Sequence, residues 1–272
     1  NFPEHILPTT FRFMKQAIQK SLPSDLAAVA NGSIDLALEH IASSPESPAS
    51  FILPDNPFYE LADRYLKAIL SSDRHAASEW ILDAAAQGVS VMDIYLHVFQ
   101  PVQFEMGRLW QTNQVSVAQE HFCTAVTQMI MSQLYPHILS SQKNGQTVIA
   151  TSVSEELHEI GIRMVADFLE ISGWDAYYLG ANTPTRSILR TIQEKRAGLI
   201  AISATIPFHV SKVTDLIAQI RASSFAFPHK ILVGGYPFNI SPNLWRQVGA
   251  DGHARDAREA VLVAEQLMQE TQ

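Results

Sequence analysis

Residues 147–161 read TVIATSVSEELHEIG, a short β-branched run followed by a polar turn that leads into a helical pattern. The run Thr147–Val153 predicts a buried strand, and helical apolar spacing extends from His158 to Ile171. The same alternation recurs three more times, at Ala176–Leu179, Gly198–Ser203 and Ile231–Val233, each followed by a helical stretch. Repeated strand–helix units predict an α/β fold, a Rossmann-like, doubly wound parallel sheet with helices on both faces.

The part of the chain before this stretch is patterned for helices. Residues 58–139 contain little Gly or Pro, and their apolar spacing predicts four helices with short connections, which is typical of an up-down four-helix bundle. The Pro- and Ser-rich stretch Ser43–Pro57 predicts a linker. We therefore divide the chain into an N-terminal helical segment with its linker, a four-helix bundle cap and a Rossmann-like domain, at 1–56, 57–141 and 142–272.

The composition excludes several classes of function. A net charge of −8, from 27 acidic and 19 basic residues, argues against direct nucleic-acid binding. No apolar run reaches the roughly 18 residues that a membrane span needs, and no signal pattern is present, so we expect a cytoplasmic protein without a membrane contact. The single cysteine, Cys123, excludes an internal disulfide framework.

Unusual residues follow the predicted strands, where ligands of such sheets bind. The first strand is followed by ELHEIG at 156–161, the third by Ser203 and Thr205, and the fourth by Gly234 and Gly235. Taken singly, each piece has an ordinary structural explanation, such as a histidine at a helix start or a glycine pair in a turn. Together and in this order, they resemble the D-x-H-x-x-G … S-x-L … G-G pattern of the cobalamin-binding fold, over residues 147–270.

The resemblance implies a role for each residue of the first piece. His158 is expected to be the lower axial ligand of the cobalt in the base-off, His-on mode, because cobalt(III) accepts a neutral imidazole nitrogen. Glu156, where the family usually has Asp, is expected to bind the other ring nitrogen and fix the tautomer. Gly161 is expected to leave space for the displaced nucleotide tail of the cofactor.

The other two pieces are expected to contact the buried nucleotide tail. The resemblance implies that Ser203 hydrogen-bonds the benzimidazole, while Thr205 stands where the family often has Leu. Gly234 and Gly235 are expected to let the backbone approach the tail closely. The resemblance identifies the fold and the cofactor, but cobalamin domains of this kind serve methyl carriers, mutases and sensors, so the helical cap must decide the function.

One motif of the cap bears on that choice. In LWQTNQVSVAQEHF, Trp110 is followed by Glu120 and His121. These residues have an ordinary structural explanation, in which Trp110 packs in the core at the end of a helix and Glu120 and His121 lie on a solvated face. Directly ahead of a cobalamin fold, however, W-x9-E-H resembles the signature of CarH-type light-dependent adenosylcobalamin regulators. That resemblance implies that Trp110 packs against the adenosyl group of adenosylcobalamin, and that Glu120 and His121 line the same upper-face pocket.

The chain departs from that family in two ways. Residues 1–56 lack the pattern of a MerR-type DNA-binding domain, and Gln111 stands where those regulators have the histidine that captures cobalt after photolysis. Either His121 or water would then take the upper site. Stand-alone relatives, the photocobilins, hold a bilin, so biliverdin or another bilin is a second expected cofactor, bound noncovalently. Its candidate contacts are His75, His97, His137, Phe99, Phe104 and Phe122, and Cys123 alone could form a thioether.

These observations lead to a function hypothesis and two rivals. The hypothesis is a light sensor and not an enzyme, a homo-oligomer that switches conformation or assembly and acts on an unidentified signalling partner protein. One rival is a corrinoid methyl carrier that serves separate methyltransferases, and the other is a cobalamin-responsive binding module without a light role. The bulky Trp110 argues against a methyl carrier, because the upper corrin face of such a protein must stay open.

Overall fold

The computed structural model describes residues 6–43, 49–139 and 142–270, so residues 44–48 of the predicted linker lie outside the described residues. Contacts divide the described chain into two compact units. One contains the described residues up to Ser50 together with Gly107–Ser116, and the other contains Phe51–Met106 and the described residues from Val117 onward. Within the described ranges, no helix is both long and apolar enough to cross a membrane.

The first unit contains a pair of contacting helices, α1 (Ile6–Ser21) and α2 (Ser24–Ser43). An ion pair joins them, with 2.6 Å between Lys15 Nζ and Asp35 Oδ1. The helical patterning expected at the N-terminus is therefore present. The proposed domain boundaries themselves stay a prediction.

The helices of the predicted cap form in the order that the sequence indicates. They are α3 (Tyr59–Leu70), α4 (Arg74–Ala86), α5 (Val91–Ile94), α6 (Gln100–Gln111), α7 (Val117–Gln133) and α8 (Tyr135–Ile138). A π-helical turn, Tyr95–Phe99, joins α5 directly to α6, so the third predicted helix is one rod with an irregular centre. The periodicity of the sequence does not reveal this turn, which adds one residue to the hydrogen-bonded ring.

The C-terminal part is a five-stranded parallel sheet in the order β2-β1-β3-β4-β5. The strands are β1 (Thr147–Ser152), β2 (Asp175–Gly180), β3 (Leu199–Ser203), β4 (Lys230–Gly234) and β5 (Gly252–Ala254). The intervening and following helices are α9 (Ile160–Ile171), α10 (Thr185–Lys195), α11 (Val210–Ala222), α12 (Tyr236–Ile240), α13 (Leu244–Gln247) and α14 (Ala257–Gln269). The predicted fold class is confirmed, and the additional strand β5 is too short to show a pattern of its own.

Alternate residues of the strands build two separate apolar layers. Ile149 and Ile200 point to the layer that α10 and α11 cover, whereas Val148 and Leu199 point to the layer that α9 and α14 cover. Because both faces are buried, the strands read as continuous apolar runs rather than as alternating ones. This arrangement leaves the carboxyl ends of the strands as the place where polar loops can meet.

Polar side chains connect the cap with α9. Tyr95, in the π-helical turn, donates a hydrogen bond of 2.9 Å to the buried carboxylate of Asp167. Gln128 of α7 donates to Glu159 Oε1 at 2.6 Å, and Arg163 donates to Ser132 Oγ at 2.8 Å. These contacts hold α7 and the π-helical turn against the helix that follows the first strand.

Gly235 provides a test of the close packing at the sheet edge. It has a φ of +104°, and a Cβ placed there would lie 2.0 Å from the carbonyl oxygen of Ala204. We expect Gly235→Ala to lower the free energy of unfolding by about 3 kcal/mol, because both the backbone conformation and the clash are unfavourable. Gly161→Ala is the matched control, since a Cβ there meets nothing within 4 Å. Equal stability of the two variants in urea unfolding would contradict this account.

Asp167 makes the stability depend on pH. Burial raises the pKa of this carboxyl group to about 6 from its ordinary 3.8, although the hydrogen bond from Tyr95 opposes the shift. Between these values the folded state binds more protons than the unfolded state, so this group lowers stability as the pH rises from about 4 to about 6. Asp167→Asn lacks this titrating group, so its free energy of unfolding should not fall in the same way. We expect the free energy of unfolding of Asp167→Asn, relative to that of the wild type, to rise by up to about 3 kcal/mol as the pH increases over that interval. A stability difference that stayed constant with pH in urea titrations would argue against the shift.

Candidate functional site

The carboxyl ends of β1 and β3 mark the crevice of the sheet. The strand order reverses direction there, because the chain runs from β1 outward to β2 and then returns to β3 on the other side. Ligands of open α/β sheets bind at such a reversal. Two loops border this crevice, residues 153–159 after β1 and residues 204–206 after β3.

The first loop places a histidine against a buried carboxylate. Glu156 has no exposed surface, and its Oε1 lies 2.6 Å from Nδ1 of His158. The same oxygen accepts a hydrogen bond from the backbone N–H of His158 at 3.1 Å. The predicted Glu156–His158 pair is thus brought together, although a glutamate stands where the resembling pattern has Asp.

The second loop binds the other oxygen of the same carboxylate. The backbone N–H groups of Thr205 and Ile206 donate to Glu156 Oε2 at 2.8 and 3.3 Å. The imidazole Nδ1 of His209, a buried residue, lies 2.9 Å from it. Sequence reasoning missed His209, because it lies outside the pattern and 53 residues from Glu156. The contact of Thr205 with Glu156 uses its backbone N–H and not its side chain.

The hydrogen bonds decide which nitrogen of His158 is free. Burial of Glu156 would raise the pKa of its carboxyl group, but hydrogen bonds from His158, His209 and Thr205 outweigh it and hold that pKa well below its usual range. An ionised carboxylate only accepts hydrogen bonds, so Nδ1 of His158 carries the proton. In the neutral ring, Nε2 then has the lone pair that a metal ion needs. The side chain of His158 is 56% exposed, so this nitrogen is accessible.

Neighbouring loops hold the histidine loop in place. Glu155 has a φ of +67°, which is unusual for a residue with a side chain. Its N–H donates to Asn182 Oδ1 at 2.8 Å, and its carboxylate pairs with Lys212 at 2.5 Å. The N–H of Asn182 in turn donates to the carbonyl oxygen of Glu156 at 3.1 Å. The strained conformation is therefore fixed by contacts from the segments after β2 and β3.

The remaining predicted residues of this domain lie at the same edge. Ser203 pairs in register with Ser152 of β1 and Gly234 of β4. At Gly161 the space for a side chain is open, whereas at Gly235 the backbone of Ala204 fills it. The packing of the protein itself therefore requires glycine at position 235, whereas the space beside Gly161 is open.

The motif of the cap consists of Trp110, Glu120 and His121. Trp110 near the end of α6 is 49% exposed. On α7, Glu120 Oε2 lies 2.6 Å from Nδ1 of His121, and Glu120 Oε1 accepts a hydrogen bond from Thr124 at 3.1 Å. The pKa of His158 is raised mainly by its bond to Glu156, and the charge of Glu120 adds to the effect.

Two of the candidate bilin contacts, Phe99 and Cys123, lie in the core of the bundle. Phe99 is buried between Tyr65 and Tyr95, with ring-centroid separations of 5.3 and 5.5 Å. Cys123 is buried as well, and burial raises the pKa of its thiol to about 12. A thiol so rarely ionised is a poor nucleophile for a thioether bond.

Comparison with protein families identifies the class of the chain. A model described as "B12 binding domain" matches residues 146–262, and a second model with the same description matches residues 61–135. The chain therefore carries a B12-binding domain of the Rossmann type and, ahead of it, a helical B12-binding domain. Corrinoid binding, which the histidine motif predicted, is supported by both matches.

Individual relatives narrow this class. The chain is 28% identical to dimethylamine corrinoid protein 3 of Methanosarcina mazei over 168 residues, which are 61% of this chain and 96% of the relative. It is 24% identical to monomethylamine corrinoid protein 1 of the same organism, over 77% of this chain and 98% of the relative. The structure of the monomethylamine corrinoid protein of Methanosarcina barkeri superimposes with a TM-score of 0.68 at 23% identity, over 78% of this chain and 100% of that one.

These relatives correct the functional hypothesis. The light-sensor interpretation is wrong, because the similar proteins are methylamine corrinoid proteins, which favour the methyl-carrier rival. The expectations of a signalling partner and of no part in catalysis are wrong for the same reason. Neither the adenosyl form of the cofactor nor a bilin receives support. The motif around Trp110 led to a wrong prediction of function because it consists of only three residues at one spacing, which is too few to identify a family.

Glu156 provides a stability test of this site. We expect Glu156→Gln to lower the free energy of unfolding by about 2–4 kcal/mol, because an amide nitrogen would then face donors that the carboxylate accepts from. Glu194→Gln, which removes only an exposed pair with Arg190, should change it by less than about 0.5 kcal/mol. Urea unfolding of both variants without cofactor measures the difference. If Glu156→Gln were as stable as the wild type, the hydrogen bonds to the Glu156 carboxylate would not be what holds the two loops together.

Proposed function

We propose that the chain is a corrinoid methyl carrier, which holds cobalamin and passes methyl groups between separate methyltransferase proteins. The observation that carries the proposal is the Glu156–His158 pair at the crevice of the sheet, in a chain whose relatives are methylamine corrinoid proteins. A methylated amine is the proposed source of the methyl group. The chain would act in catalysis as the component that bears the cofactor.

The residues of the crevice fit a corrinoid. In its neutral form His158 offers an accessible Nε2, and imidazole is a suitable ligand for cobalt(III). Glu156 fixes the tautomer and raises the basicity of the ring, as carboxylates do for metal-bound histidines. The open space at Gly161 suits the nucleotide tail, and Ser203 and Gly234 border the same edge. Corrinoid cobalt, when bound, supplies a centre that takes up and releases a methyl group.

The cap has the complementary role in this proposal. With residues 57–141 as the cap and 142–272 as the lower domain, the cap would cover the corrin face opposite His158. A methyl group is much smaller than an adenosyl group, so the upper site needs access for partners rather than a deep pocket. The assignment of Trp110, Glu120 and His121 to that face stays a prediction, as does a homo-oligomeric state.

Methyl transfer tests this function directly. The protein is loaded with hydroxocobalamin and mixed with an extract of its host that supplies methyltransferases and reductant. Monomethylamine or dimethylamine with a radiolabelled methyl group is then added. We expect label on the protein-bound corrinoid, and about 10-fold to 100-fold less with His158→Ala, the usual effect of disturbing a metal site.

The controls separate the function from the cofactor. His229→Gln changes a histidine that precedes β4, at the opposite edge of the sheet, and should label like the wild type. If neither amine labels the protein although its absorption spectrum is that of the His-on form, the methyl-carrier function is rejected. The proposal that the chain binds cobalamin would still stand. If His158→Ala had the absorption spectrum of the wild type, the assignment of His158 as the cobalt ligand would be rejected.

A further inference from the structure

The pair of helices α1 and α2 buries very little of its own surface. Of the side chains that the structure describes in this pair, none in α1 is buried, and two in α2 are, Ala27 and Ile34. Fixing the backbone of one residue costs about 1–2 kcal/mol of entropy, so two ordered helices need more apolar contact than this. Both matched family models begin after the pair, at residues 61 and 146. The pair therefore calls for an explanation that the B12-binding domains do not supply.

Each of the two helices carries an exposed stripe with the alternating spacing of three and four residues that is typical of helix-packing seams. The stripe of α1 consists of Leu7, Thr10, Met14 and Ala17, flanked by Phe13. The stripe of α2 consists of Leu26, Val29, Ser33 and Leu36. Phe13, Val29 and Leu36 are 63, 72 and 68% exposed. Large apolar side chains in such a row are unusual on a surface that faces only water.

Both stripes lie on the same side of the helix pair. The short connection at Leu22 and Pro23 makes the contacting helices antiparallel neighbours. In α1, the partly buried Phe11 marks the side that faces α2, and in α2 the buried Ile34 marks the side that faces α1. At 3.6 residues per turn, each stripe is rotated from its inner side by about a quarter to a third of a turn, in the same sense along its own helix. In an antiparallel pair this places the two stripes together, as one surface that we call the hairpin face.

The charges of the pair are divided between its helices. α1 contains three basic residues and no acidic one, whereas α2 contains three acidic residues and neither Lys nor Arg. The basic residues are Arg12, Lys15 and Lys20, and the acidic ones are Asp25, Asp35 and Glu39. Lys15 already pairs with Asp35. Within the described part of the chain, Lys20 and Asp25 form no salt bridge, so both charges are available to a partner.

We propose that the hairpin face binds the hairpin face of a second copy of this chain, so that two pairs of helices form an antiparallel four-helix bundle. In this dimer, α1 of one subunit lies against α2 of the other. A two-fold axis uses the same surface twice, so the surface must be complementary to itself. The division of charge meets this condition, because basic α1 then faces acidic α2, whereas α1 against α1 would bring like charges together. The proposal does not depend on cobalamin binding or on the methyl-carrier function.

The size of the hairpin face fits a dimer of moderate affinity. The 16 residues of α1 extend over about 24 Å, and two neighbouring helices are about 20 Å wide. Two such faces bury on the order of 1,000 Å² in total, which is near the lower limit for a specific interface. We therefore expect dissociation in roughly the micromolar range, so that the oligomeric state depends on protein concentration.

Polar substitution within the stripe tests the surface. The variant carries Val29→Gln and Leu36→Gln, whose side chains are exposed in the single chain, so its core is not disturbed. Sedimentation velocity from about 1 to 100 µM should show dimers of the wild type and an affinity about 100-fold weaker or less for the variant. Leu262→Gln is the matched control, because Leu262 is 63% exposed on α14, and it should dimerise like the wild type. Circular dichroism checks that the helix content is equal.

A charge exchange tests which helices meet. Lys20 and Asp25 flank the connection between the helices, so in the proposed bundle Lys20 of one subunit lies beside Asp25 of the other. Lys20→Glu and Asp25→Lys should each weaken the dimer several-fold, because like charges then face each other. A mixture of the two variants restores opposite charges and should form heterodimers close to the wild-type affinity. Mixing cannot relieve repulsion within one chain, so this recovery identifies a contact between subunits.

Three results would overturn the proposal. A wild-type chain that stays monomeric over the whole concentration range shows that no second copy covers the hairpin face. A dimer that withstands Val29→Gln with Leu36→Gln is held by another surface. Charge variants that associate no better together than apart show that α1 does not lie against α2 of the partner. None of these results bears on the labelling of the corrinoid by methylamines, which tests the methyl-carrier function separately.

Discussion

The buried carboxylate of Glu156 constrains everything around the crevice, because an ionised group without exposed surface must be fully hydrogen-bonded. Its partners come from both loops that flank the strand reversal, so the loops are held together by one residue. If Glu156 were unpaired, its desolvation would destabilise both loops. The stability of the two loops and the orientation of the His158 ring therefore depend on the same hydrogen bonds.

The sheet prepares the place for this carboxylate. Parallel strands end at a common edge, and the register sets Ser152, Ser203 and Gly234 side by side. The close approach of Gly235 to Ala204 draws the loops after β3 and β4 together. Hydrogen bonds of Asp167 and Glu159 with residues of the cap hold the cap against α9, the helix that begins just after His158. The loop that carries His158 thus lies between two rigid supports, so it has little freedom to reorganise.

The function hypotheses differed in what they asked of the cap. A light sensor requires a closed pocket for a large adenosyl group, whereas a methyl carrier requires an upper face that partners can reach. The relatives favour the second. Trp110 is half exposed, and Glu120 and His121 pair with each other. A short motif identifies residue types, but the chemistry of a site depends on how those residues are enclosed.

The sequence by itself determined the class of fold, the four helices ahead of it and the pair of Glu156 and His158. Each of these is encoded locally, by apolar periodicity or by residues two positions apart in one loop. Only the tertiary structure decided that His209 and the N–H groups after β3 complete the site, because they lie about fifty residues away and are brought near by strand pairing. The π-helical turn that carries Tyr95 was also invisible, since one added residue hardly changes the periodicity, and the hydrogen bond of Tyr95 to Asp167 forms only in the folded chain. Local patterns specify elements, and the burial of a charge specifies which distant residues must meet.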